Sequence, residues 1–146
     1  MAKVLMVIAP ERFRDEELFV TKEELEKAGH HTVIASSMKG GCPGSRGGSN
    51  IYFRNEEALR IAKEMHKKKA VVAAICLAPV ILANAGILNG KKATVAGTEA
   101  KTIENAGAMY TGPGVMVDGN IVTGNAPKSS RLFGQNIATL LKEDKE

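Results

Sequence analysis

The sequence predicts an α/β fold, a three-layer sandwich in which helices cover both faces of a mainly parallel sheet. Two runs, residues 3–9 and 70–75, are apolar almost without interruption, the pattern of strands buried on both faces rather than one. One helix-length stretch separates the first run from the next strand-like segment, residues 30–36. Strand, helix and strand at that spacing form a right-handed parallel crossover. At the end of the second run the chain passes from strand to helix at a single residue, Cys76.

Each element has a local reason. Pro10 ends the first strand, Asp15 caps a helix running to Ala28, and Gly29 stands just past its end. In strand 30–36, the neighbours His30 and His31 point to opposite faces, so they do not chelate one ion together. Residues 37–50 are glycine-dense and read as a loop. They lack the Gly-Lys-Ser/Thr ending of a phosphate-binding loop. Asn55 caps the next helix, with Glu56 and Glu57 in its first turn and Lys67, Lys68 and Lys69 in its last, signs that suit the helix dipole. Ala58, Ile61, Ala62 and Met65 make its expected buried stripe, and His66 complements the dipole. After strand 70–75, Pro79 opens a short apolar helix and Gly86 stops it. The Asn89-Gly90 turn leads to strand 92–96, and a helix then runs from Thr98 or Glu99 to Gly107. Residues 115–123 form a hairpin with an Asp118-Gly119 turn. A closing helix over 129–142 is expected to bury Leu132, Phe133, Ile137, Leu140 and Leu141.

Composition sets limits on function. With 146 residues the chain is expected to be one domain with one core. The net charge of +4 is spread among interleaved lysines and glutamates, and only six aromatic residues are present, so nucleic acid is not the expected partner. Cys42 and Cys76, 34 positions apart, make neither a disulfide framework nor a metal knuckle. No apolar run approaches membrane-spanning length and the first residues enter a strand directly, so a cytoplasmic protein with no membrane partner is expected.

Cys76 is the chemical candidate. A thiol at the carboxyl end of a strand and the start of a helix lies where unpaired N–H groups favour a thiolate, in the geometry of a nucleophile elbow. The competing reading is a small, inert core cysteine. Glu16 and Glu17 sit in the first turn of the helix that Asp15 caps, where negative charge is favourable with or without a chemical role.

The same residues carry a family likeness. Ala73-Ala74-Ile75-Cys76-Leu77-Ala78-Pro79, followed by Ala85-Gly86-Ile87-Leu88-Asn89-Gly90-Lys91-Lys92-Ala93-Thr94, resembles the signature of the ThiJ/PfpI superfamily, which includes intracellular proteases and deglycase or chaperone proteins. The hairpin and closing helix resemble the superfamily's C-terminal third. The likeness implies a flavodoxin-like sandwich with a cysteine nucleophile elbow. It also implies that Glu17, within Phe13-Arg14-Asp15-Glu16-Glu17-Leu18, points at the cysteine, protonated and donating to sulfur. Gly47 and Gly48 match a glycine pair whose N–H groups, with that of Leu77, would form an oxyanion hole.

The likeness implies a cofactor-independent thiol enzyme, without metal, acting on a small electrophilic carbonyl or on a glycated protein by glyoxalase or deglycase-like chemistry, and assembled as a homo-oligomer. Two other readings stand beside it: a redox sensor or chaperone that uses an oxidisable Cys76, and a peptidase. Leu77 occupies the place where the protease-like branch carries histidine, and no histidine follows His66. Cys42, in the glycine-dense loop, is a candidate resolving thiol for Cys76.

One strand is missing from the expected pattern. The likeness calls for an apolar strand leading into Gly47-Gly48, yet residues 39–50 hold no four consecutive apolar positions. A sequence lacking on the order of twenty residues, one strand with its connections, between Gly44 and Ser49 is therefore expected.

Overall fold

The computed structural model describes residues 3–7, 15–35, 56–112 and 114–143, with side chains left aside at residues 3–7, 15–18, 33–35 and 143. The apolar first run forms β1 (Lys3–Val7), which pairs in parallel with β2 (His31–Ala35) across the crossover helix α1 (Asp15–Lys27). His30 is buried just before β2 and His31 is exposed at its first position, as alternation along a strand requires. Asn55, the expected cap of α2 (Glu56–Lys67), lies outside the described residues.

The second run forms β3 (Val72–Ile75), and α3 (Pro79–Asn84) follows with Pro79 at its start. Beyond these come β4 (Lys92–Ala93), a 3-10 turn over Gly97–Glu99, and α4 (Ala100–Asn105). Then follow β5 (Met109–Tyr110), β6 (Val115–Asp118), β7 (Ile121–Gly124), a second 3-10 turn at Pro127–Ser129, and α5 (Ser130–Glu143). The pairings β3–β7 and β4–β5 are parallel, whereas β6–β7 is an antiparallel hairpin, so the sheet is mixed. Strand 92–96 is shorter than expected, and β5 was not legible in a two-residue segment. In the hairpin Asp118 pairs with Ile121, which leaves Gly119-Asn120 as the two-residue turn, with Gly119 at φ +61°.

Four helices close in the same way. The N–H groups of His30, Ala70, Ile87 and Ala108 reach back to the carbonyls of Leu25, Met65, Leu82 and Ile103 at 3.0–3.2 Å, the Schellman pattern. The residue before each donor has positive φ. It is Gly29, Gly86 and Gly107 in three helices but Lys69, at φ +64°, in α2. Glycine has no Cβ to clash in that conformation, and Lys69 does.

Apolar side chains fall into two clusters on opposite faces of β3 and β7. Val72, Ala74 and Ile121 join α2, α3 and α4 through Ala62, Val80, Leu82 and Ile103. Val122, with Ala73 and Ile75, packs against Leu25 of α1 and Phe133 and Ile137 of α5. Helices therefore lie on both faces of this part of the sheet. Two residues expected in the core lie at the surface instead. Met65 and Leu132 are exposed, at 39% and 52%, because the faces of α2 and α5 that meet the sheet are centred on Ala62 and on Phe133 and Ile137. Within α3, Val80 and Leu82 are buried as expected and Ile81 is half-buried. Among the described residues no helix is long and apolar enough to cross a membrane.

α1 and α5 meet closely. A Cβ built on Gly134 would stand 2.9 Å from the Glu24 Cβ and 3.2 Å from the Thr21 carbonyl oxygen, so this crossing admits no side chain. Around it the buried Glu24 carboxylate accepts from Gln135 Nε2 at 3.0 Å and from Arg131 Nη1 at 2.9 Å. The Gln135 hydrogen bond, with Lys27 and Arg131 nearby, holds the Glu24 carboxyl below its ordinary pKa against the opposing effect of burial.

Candidate functional site

The site grows from the ends of two adjacent parallel strands. Ile75 pairs with Gly124 at the carboxyl ends of β3 and β7, and the next residue, Cys76, donates its N–H to the Gly124 carbonyl at 2.9 Å. The chain then turns abruptly. Cys76 has φ +64°, left-handed backbone that costs a non-glycine residue on the order of 1–3 kcal/mol and that clusters at functional sites. The Ala78 N–H closes the turn on the Ile75 carbonyl at 3.1 Å, and Pro79 begins α3 at the next residue. Cys76 is half-buried.

The surroundings are tight on the β7 side. A Cβ at Gly124 would meet the Ile75 side chain at 2.9 Å and Phe133 at 3.3 Å, so glycine is what lets the strand carrying the cysteine approach its neighbour. The Cys76 carbonyl accepts the Ala96 N–H at 2.7 Å, which brings the segment after β4 against the turn. Beyond Gly124, the Asn125 N–H donates to the Gly114 carbonyl at 3.0 Å, and its side-chain Oδ1 accepts from Ser129 Oγ at 2.9 Å. Half-buried Leu77 keeps its N–H without a hydrogen bond among the described residues.

Of the residues singled out by sequence, Cys76 and Leu77 stand together in this turn. The backbone of Glu17 lies in the first turn of α1, and its side chain is outside the described set. Gly47, Gly48 and Cys42 lie outside the described residues altogether, as does the whole span from Gly44 to Ser49. His66 is half-buried in the last turn of α2, in keeping with a dipole complement. Sequence reasoning missed Ala96, Gly124 and Asn125. Gly124 and Ala96 meet the turn, and Asn125 meets Gly114, through backbone groups, which leave no side-chain signature. The Asn125–Ser129 spacing before a helix was the one local sign available.

A parallel strand that ends at a half-buried cysteine in left-handed backbone, with a helix starting at once behind it, defines a class of α/β proteins that present a thiol at the carboxyl edge of the sheet. Within that class the chain belongs to the DJ-1/PfpI family, whose sequence profile matches residues 42–140. An uncharacterized protein of Methanocaldococcus jannaschii is 40% identical over 174 aligned positions, which cover 99% of this chain and 85% of that one. A protein of Pyrococcus furiosus named as the deglycase PfpI is 31% identical over 166 positions, covering 96% and 99%. Among solved structures, a ThiJ/PfpI domain protein from Brachyspira murdochii superposes with a TM-score of 0.92 at 26% identity, covering 97% of this chain and 96% of that one. Drosophila melanogaster DJ-1beta, at 22% identity, shares the fold with a TM-score of 0.82 over 96% of this chain and 90% of its own.

Proposed function

We propose that the protein is a cofactor-independent thiol enzyme of the deglycase or glyoxalase type, with Cys76 as nucleophile on a strand-to-helix elbow of a flavodoxin-like sandwich. The observation that carries the reading is the left-handed backbone of Cys76, held between the carbonyl of Gly124 and the N–H of Ala96 at the carboxyl edge of β3. A non-glycine residue kept in that conformation is better explained by presentation of its side chain than by packing. Relatives named as deglycases in Thermococcus kodakarensis and Pyrococcus furiosus, at 27% and 31% identity, support the choice of a carbonyl substrate.

In this reading the Cys76 sulfur bonds to the aldehyde carbon of a dicarbonyl, and the carbonyl oxygen develops negative charge opposite the Leu77 N–H and the N–H of Gly47 or Gly48. The Glu17 carboxyl gives that oxygen its proton, leaving a hemithioacetal and a carboxylate. The carboxylate then removes the remaining C–H proton and returns it to the neighbouring carbon, while the hemithioacetal hydroxyl proton passes to the second carbonyl oxygen, so that the first carbon becomes the thioester carbonyl and the second a secondary alcohol. The thioester so formed is cleaved by water to a 2-hydroxy acid and the free thiol, so the sum is dicarbonyl plus water. Glu17 takes this role from the family likeness, as the residue matching the acidic side chain that the ThiJ/PfpI segment points at its cysteine.

Leu77 in place of histidine disfavours the peptidase reading, since no imidazole follows the cysteine to serve as base. Methylglyoxal consumption with matched lactate formation, abolished in Cys76→Ser and reduced at least about a hundredfold in Glu17→Gln, is the expected result. Equal turnover in Cys76→Ser would overturn the proposal.

A further inference from the structure

Both main-chain groups of Cys76 are held, and both lead back to one residue. The Cys76 N–H donates to the Gly124 carbonyl at 2.9 Å, and the Cys76 carbonyl accepts from the Ala96 N–H at 2.7 Å. These groups belong to the peptide planes before and after the Cys76 Cα. Fixing them fixes the two rotations, φ and ψ, that set the left-handed turn. The first anchor continues the β3–β7 ladder. The second is only as firm as the segment 94–96 that supplies it.

That segment is tied to the sheet by Thr123. Thr123 is fully buried and lies between Ala74 of β3 and Met116 of β6, so its main chain is flanked in the sheet on both sides. Its side chain rises on the same face as Ile121, where Ala93 and Val95 also pack. Main-chain acceptors of an interior strand lie in the plane of the sheet, so a segment crossing that face bonds to β7 through a side chain. The Thr123 Oγ1 accepts the Thr94 N–H at 2.9 Å and turns its own proton to the Met116 carbonyl at 3.5 Å. Thr94 is also fully buried, which leaves its N–H no access to bulk water as an alternative.

We propose that Thr123 is a positioning residue for Cys76. Its hydroxyl seats segment 94–96 on β7, and the Ala96 N–H in that segment seats the Cys76 carbonyl. Gly124, the next residue after Thr123, seats the Cys76 N–H. One threonine so placed holds the strained residue from both ends. The effect on turnover rests on Cys76 being the nucleophile, whereas the effect on presentation of the thiol does not. Without the hydroxyl oxygen a buried N–H loses its acceptor, the segment leaves its seat, and Cys76 relaxes with its sulfur withdrawn from the turn.

Three substitutions in the full chain test this. Thr123→Val keeps the shape of the side chain and removes the oxygen, and Thr123→Ser keeps the oxygen. Ala96→Pro removes the donor of the second anchor at a φ of −52°, which proline already prefers. The first readout is the rate at which iodoacetamide alkylates Cys76 in the folded protein, followed by mass spectrometry of the peptide that carries it. Thr123→Val and Ala96→Pro should react at least about tenfold more slowly than the parent, and Thr123→Ser should stay within about threefold. A protein that was only destabilised would react at the parent rate, or faster as the thiol became exposed. The second readout is methylglyoxal turnover. In the same two variants kcat should fall at least about tenfold while KM changes by less than about threefold, because the thiol's placement acts on the chemical step. Alkylation slowed by less than about threefold in Thr123→Val, or slowed equally in Thr123→Ser, overturns the proposal. If Thr123→Val does not fold, Ala96→Pro and the parent's amide exchange decide. Alkylation of Ala96→Pro within about threefold of the parent, or a Thr94 amide protected more than about tenfold less than that of Cys76, then overturns it. Turnover that survives in Cys76→Ser would instead remove the thiol-enzyme reading and leave the alkylation result standing.

Discussion

Cys76 and Lys69 have the same backbone angle, φ +64°, and only one of them has a chemical candidate for a side chain. That pair allows the strain at Cys76 to be measured. Left-handed backbone costs a residue with a Cβ about 1–2 kcal/mol. Glycine removes that cost but loses about 0.5–1 kcal/mol more backbone entropy on folding. The net expectation is that Cys76→Gly is more stable than Cys76→Ala by about 0.5–1 kcal/mol, and that Lys69→Gly exceeds Lys69→Ala by a similar amount. Comparing glycine with alanine at each position keeps loss of the thiol or the ammonium out of the difference. For a chain of this size the gap is about 1–4 °C in Tm, readable by thermal unfolding at a fixed protein concentration. The three glycines that close α1, α3 and α4 with positive φ show which residue this conformation favours when nothing else is asked of it. Suppose Lys69→Gly shows the gain and the Cys76 pair does not. Position 76 would then not be held in left-handed backbone, and the argument that the turn presents the thiol would fall.

Two further expectations concern the clamp between α1 and α5. Gly134→Ala gains about 1 kcal/mol of helix propensity but drives a Cβ against the Thr21 main chain, and such overpacking costs about 1–3 kcal/mol, so Tm should fall by up to several degrees; a rise in Tm would mean that the helices do not approach as described. The Glu24 carboxyl is held below its ordinary pKa by Gln135, Lys27 and Arg131, so its contribution to stability is present above the unfolded-state pKa and is lost as pH falls through the lower folded-state value. Glu24→Gln should therefore be less stable than the parent at neutral pH, with a gap that narrows on acidification below about pH 5; a gap independent of pH would show that the carboxylate charge plays no part.

Much of the fold is legible because local chemistry and tertiary role agree. The unbroken apolar runs become strands, Gly29, Gly86 and Gly107 end helices, and Pro79 starts one, since each residue type restricts φ or burial by itself. Cys76 was legible for the same reason: an apolar strand pattern ends there and Pro79 opens a helix pattern three residues on, which leaves room for only a tight turn. The misassignments at Met65 and Leu132 have another origin. The apolar stripe of a helix spans more than 100°, and which part of it meets the sheet is set by the neighbouring element rather than by the helix.

The sequence by itself determined the α/β class, the order of most elements, and the thiol at the strand-to-helix junction. Only the tertiary structure decided what surrounds that thiol. Gly124 and Ala96 meet Cys76 through backbone hydrogen bonds and Asn125 holds Gly114 in the same way, and main-chain groups are alike at every residue. The pairing of β3 with β7 is decided in the same way. An apolar run states that a strand is buried, whereas which of its two edges finds a partner depends on strands far away in the chain.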